Sequence, residues 1–134
     1  MIIAAIAPIA LFNPGQVMPL DNEQGIIVGF GHAYEGSTQP SSLLQQIYKR
    51  VLPNERCTSV FVLTVPNHFC AMDETQFGNI CNGDIGGAFV TTYRGQLFAT
   101  GINSLIIEGC GQTWPSAYTR ISVYRDWIRQ VTQV

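Results

Sequence analysis

The chain is 134 residues long, the size of one domain, and 46% of it is hydrophobic while only 12% is charged, which excludes an intrinsically disordered chain. Seven basic residues against nine acidic ones leave a formal charge of -2, without the basic excess of a nucleic-acid binder. No apolar run reaches the ~18 residues of a membrane-spanning helix, so a soluble, ordered, single domain is expected.

Met1–Phe12 (MIIAAIAPIALF) has the apolar look of a signal-peptide core. No basic residue precedes it and Pro8 interrupts it, so it reads as a buried strand or a connector between domains. Gln24–Phe30 is a β-branched run between glycines, a buried strand. Glu35–Ser42 is a polar loop. Leu43–Leu52 alternates as a strand, with Leu44, Gln46, Tyr48 and Arg50 on one side. Pro53 starts a helical turn that carries Cys57, and Val60–Val65 is strand or irregular chain. His68–Met72 and Gly86–Thr92 read as strands, and Gln96–Ser104 pairs with the latter across Arg94-Gly95. The strong helix signal is terminal: Ser122 as N-cap, Asp126 in the early turns, and an apolar stripe of Val123, Trp127, Ile128 and Val131. About six short strands and one closing helix imply a small antiparallel barrel or sandwich.

Four cysteines, Cys57, Cys70, Cys81 and Cys110, contain no Cys-x-x-Cys pair. His32 and His68 are not spaced as ligands, which argues against zinc. Disulfides, and with them an oxidising compartment, are the expected use, with buried free thiols as the alternative. Four cysteines allow three pairings. Asp73 and Glu74 are loop carboxylates that could meet calcium but are ordinarily just solvated, so no metal and no cofactor is expected.

Cys81-Asn82-Gly83-Asp84-Ile85-Gly86-Gly87 resembles the Cys-x-Gly-Asp-Ser-Gly-Gly motif of the trypsin-like serine proteases. Gly29-Phe30-Gly31 resembles that family's Gly-Trp-Gly strand end. Ala117–Ser122 with Tyr124 and Asp126-Trp127-Ile128 resembles its closing segment and terminal helix. The likeness runs from about Ile6 to Val131. It implies an all-β fold, an antiparallel Greek-key β-barrel (the second barrel of the trypsin-like fold) with a C-terminal α-helix. Residues 1–12 would then be the inter-barrel connector, 13–121 the barrel and 122–133 the helix. It also implies the pairings Cys57–Cys70 and Cys81–Cys110, and it places a third family bridge at Gly25 and Thr91, where both cysteines are missing. A secreted, extracellular chain follows from the same resemblance.

The departures bear on function. The nucleophile position holds Ile85, a hydrocarbon side chain that attacks nothing, with Gly83 and Asp84 as remnants of the oxyanion turn. The general-base His and its Asp belong to a first barrel that the resemblance does not cover, and His32 and His68 read as surface or loop residues. Asn79 stands at the base of the specificity pocket, so no buried charge is expected there to select Lys or Arg. Ser104-Leu105-Ile106 replaces the substrate-pairing segment, with Ile106 obstructing the pocket mouth, and Ser116 replaces a wall glycine. Asp84 has lost the N-terminal partner that the family supplies, so it is either solvated or satisfied by another group. A lone second barrel would expose the apolar face that meets the first.

The expectation is a non-catalytic serine protease homologue with a protein-interaction or regulatory role. Its partner would be the first barrel or another protein, neither nucleic acid nor membrane. Loops Tyr34–Ser42, Asp73–Gly78 and Glu108–Trp114 are the candidate contact surfaces. The alternative is a segment of a secreted trypsin-like serine endopeptidase.

Overall fold

The computed structural model describes residues 6–62, 66–73, 75, 78–107, 110 and 113–134. Six strands form it: β1 (Gln24–Gly29), β2 (Gln45–Val51), β3 (His68–Met72), β4 (Ala88–Tyr93), β5 (Gln96–Leu105) and β6 (Ser116–Arg120). They close into a barrel in the order β1-β2-β3-β6-β5-β4, every neighbour antiparallel. A helical turn, α1 (Asn54–Thr58), follows β2, and the chain ends in a 3-10 turn over Ile121–Tyr124 and the helix α2 (Arg125–Thr132).

The strands alternate as half-buried sheet should. In β2 the exposed face is Gln46 and Tyr48, and the inward face is Ile47, Lys49 and Val51. In β1 only Gly25 and Ile27 are fully buried and Val28 is exposed, so this strand is half-buried and not the wholly buried one its apolar run suggests. The β4–β5 hairpin reverses at Arg94 and Gly95, both at positive φ, the backbone that a two-residue hairpin turn requires. Strand β6 lies in the closing segment that only the family resemblance singled out.

Inside, Phe69, Phe89 and Tyr118 form an aromatic centre with ring centroids 4.9–5.2 Å apart, and Ile27, Val51, Ala71 and Ile80 complete it. Cys57–Cys70 fastens α1 to β3 beside Leu52 and Ala117, and Cys81–Cys110 closes the second loop. The described residues contain no free cysteine.

Three local expectations are corrected. Ser122 does not cap α2: Tyr124 holds the cap position without a side-chain bond. The Ser122 hydroxyl instead accepts from the Met18 N–H and donates to the Met18 carbonyl. The helix's apolar stripe is not core, since Trp127 and Val131 are more than 60% exposed. What α2 buries is Arg125, whose guanidinium donates to the Phe12 and Val134 carbonyls. The third concerns the leading segment, which is no buried strand over its described part. Ile6–Ile9 is exposed, Ala10 makes one bridge to Phe98, and Phe12 stacks on the Phe98 ring at 4.1 Å. Met1–Ala5 lies outside the described residues, as do Leu63–Val65 of the undecided Val60–Val65 run; Val60–Val62 is turn and irregular chain.

Candidate functional site

Between core residues Ile80 and Phe89 the chain swings outward through the Cys81–Gly87 turn. Two reversals shape it, Gly83 at φ 95° and Gly86 at φ 89°, a conformation that residues with a Cβ rarely adopt. Backbone bonds then lock it. Asp84 N–H donates to the Cys81 carbonyl (3.0 Å) and Gly87 N–H to the Asp84 carbonyl (3.1 Å). Gly86 N–H donates to Asn103 of β5, and the Asn103 amide donates back to Asp84 (2.8 Å). At the apex sits Ile85, half exposed at 51%. So a turn fixed by backbone bonds presents a hydrocarbon at its apex.

Asp84 turns back under this turn. Its Oδ1 accepts the Gly31 N–H (2.9 Å) and its Oδ2 the Cys81 N–H (3.1 Å). The sequence left solvent or a partner open for this carboxylate; the partner is backbone. A Cβ on Gly29 would lie 2.2 Å from the carboxylate oxygen, and one on Gly31 would lie 2.4 Å from its carbon. The Gly-Phe-Gly spacing is therefore the room that Asp84 occupies. Beside it lies a cavity of about 190 Å³, lined among others by Gly31, His32, Ile47, Asn79 and Asp84. His32 N–H donates to Asn82 (2.9 Å), so this histidine borders the turn and is half-buried, not a free surface residue. His68 opens β3 opposite Thr119 and is also half-buried.

The remaining pocket residues meet around a group that sequence reasoning passed over. Lys49, on the inward face of β2, is 1% exposed. Its ammonium donates to Asn79 Oδ1 and to Ser116 Oγ, the latter at 2.8 Å. Ser116 Oγ donates to the same Asn79 oxygen, which also accepts the Ile80 N–H (2.9 Å). Asn79 and Ser116 thus meet a buried lysine, a group that the sequence reading did not place there. Burial pulls the Lys49 ammonium down to about 7, against a smaller upward pull from the Asp73 carboxylate, because desolvation disfavours the charged form. The signal for it was parity. With Leu44, Gln46, Tyr48 and Arg50 on one side of the strand, Lys49 shares the other with Ile47 and Val51.

Of the other pocket positions, Ser104 sits at the bulge between Asn103 and Leu105 in β5, where Leu105 is exposed. Ile106 packs against the core cluster that contains Ile80 and Tyr118. Asp73 spends Oδ1 on the Thr75 N–H and hydroxyl, and Glu74 lies outside the described residues. Loop Tyr34–Ser42 is largely exposed, with Tyr34 at 64%. The other two candidate loops are described only in part.

A closed six-stranded barrel, two sequential disulfides and a Gly-Asp-x-Gly-Gly turn held over a half-buried carboxylate define the class: one barrel of a trypsin-like fold. Comparison with known proteins agrees. The family model described as "Trypsin" matches residues 2–128, and the chain belongs to that family. It is 34% identical to tissue-type plasminogen activator of Mus musculus, over 93% of this chain and 24% of that protein. It is 32% identical to the hepatocyte growth factor activator serine protease of Homo sapiens, over 92% of this chain and 19% of that protein. The chain therefore spans about a fifth to a quarter of the length of these relatives.

Proposed function

We propose that this chain is a catalytically silent, extracellular member of the trypsin family that acts by protein interaction, with the barrel as its second, C-terminal half. The observation that carries the reading is Ile85. The turn around it keeps the positive-φ glycines and the Asp84 anchorage, while the group at the apex has no lone pair for nucleophilic attack. Loss of the nucleophile alone costs about 10⁶ in kcat in subtilisin, a protease of unrelated fold. The partner surface is apolar: Trp127 and Val131 on the terminal helix are exposed, with Val134 after it and Val123 and Tyr124 before it. A first barrel, or another protein, would cover them. Two disulfides support the extracellular placement.

A second reading, that the chain is part of a secreted trypsin-like endopeptidase, draws support from the relatives, which are named as a plasminogen activator and a serine protease. A fluorophosphonate probe separates the two. The native chain should carry no covalent label and cleave none of a panel of peptide substrates; a label on any serine of this chain would sink the silent reading.

A further inference from the structure

Lys49 is the single lysine of the 134 residues, and it is buried, a place where lysine is seldom found unless paired. It sits beside the seam of β2 and β3, where the described residues pair at Arg50↔Met72 and Val51↔Ala71. Past those two pairs the seam is closed by side chains. The ammonium spans from β2 to Asn79 and to Ser116 at the start of β6, and the Asn79 amide donates onward to the Trp114 carbonyl (3.2 Å). The Asn79 oxygen receives Lys49, Ser116 and Ile80 together. A carbonyl oxygen offers two lone pairs, so it has no acceptor capacity left for a guest. Ile106 packs against the core cluster.

We propose that Lys49 and Ile106 occupy the family's primary specificity pocket from within, Lys49 as a built-in amine on the floor residues Asn79 and Ser116, Ile106 as a plug on the wall. The assignment rests on the correspondence of residues 79, 104–106 and 116 with the family pocket used above. Its consequence is a chain that admits no basic side chain there. An entering ammonium or guanidinium would find the acceptors already taken, and below about pH 7, where Lys49 is protonated, it would also meet a like charge. The plug is thus a specificity device, distinct from the absent nucleophile: restoring a serine at position 85 would leave Lys49 on Asn79 and Ser116.

Because lysine occurs once, the test is direct. Amine acetylation of the native chain, followed by mass spectrometry of the Lys49 peptide, should proceed more than about tenfold slower than in the urea-denatured chain. An equal rate overturns the proposal. In parallel, the fluorescent cation p-aminobenzamidine is titrated into the native chain and into a Lys49→Ala/Ile106→Gly/Asn79→Asp variant whose fold is checked by circular dichroism and intact disulfides. The native chain should not bind, and the opened variant should bind at least about tenfold tighter. Binding by the native chain, or indifference of the folded variant, overturns the proposal; if the variant does not fold, the acetylation rate decides. Fluorophosphonate labelling would instead overturn the silent reading and would change neither of these readouts.

Discussion

Gly25 lies directly opposite Thr91 across β1 and β4, and the space that a side chain at Gly25 would need is filled by the ring of Phe89. A Cβ there would come within 2.1 Å of the ring. Restoring the missing family bridge with Gly25→Cys and Thr91→Cys is therefore expected to fail, because overpacking a well-filled core costs about 1–3 kcal/mol. The double variant should retain alkylatable thiols and melt below the native chain. Adding Phe89→Val should let the bridge form, read as loss of both thiols by mass. Efficient bridging without that third change would mean the ring is not the obstacle.

Lys49 predicts an unusual pH dependence. Its folded pKa, about 7, lies below the ordinary 10.5, so between pH 7 and 10.5 the unfolded chain binds more protons than the folded one. Stability then rises with pH across that window, and the full penalty is present below it. Lys49→Met removes the charge yet leaves Asn79 Oδ1 with the Ser116 and Ile80 donors. It should stabilise the chain by about 1–4 kcal/mol near pH 6, with the gain shrinking toward pH 10, as thermal denaturation at both pH values would read. Destabilisation at pH 6 would mean that the Asp73 attraction outweighs desolvation.

Much of the barrel was legible because its signals are local. β-Branched runs and the Arg94-Gly95 turn involve neighbours along the chain, whereas the cysteine pairing followed from the family resemblance. What was missed is long-range. Lys49 meets Asn79 and Ser116, 30 and 67 residues away, and nothing in the periodicity of β2 says that a lysine on its inward face will find neutral acceptors. The helix misled for the same reason. Trp127 and Val131 recur at core spacing but stay exposed, and Arg125 holds the helix in place instead.

The two disulfides should differ in what they contribute. Cys57–Cys70 closes a separation of 13 residues and Cys81–Cys110 one of 29. The loop-entropy relation gives about 3 kcal/mol for the first and about 3.5 for the second. Paired Cys→Ala variants, compared by urea denaturation, should rank in that order. The reverse ranking would show that fastening α1 to β3 beside Leu52 and Ala117 outweighs loop length.

Asp84 supplies the last prediction, and it separates a structural carboxylate from a merely inherited one. Its two oxygens each accept a backbone N–H, from Gly31 and from Cys81. Asp84→Asn keeps the shape but turns one acceptor into a donor, so one of those N–H groups loses its partner. A part-buried orphan of this kind costs about 1–3 kcal/mol. Gly31→Ala should be at least as damaging, since its Cβ would fall 2.4 Å from the carboxylate carbon and must displace the side chain. Combining the two should cost less than the sum, because the alanine clash and the lost acceptor act on one contact. Chemical denaturation of the two single variants and the double variant measures this coupling. Strict additivity would mean that Asp84 and the Gly29-Phe30-Gly31 segment are independent.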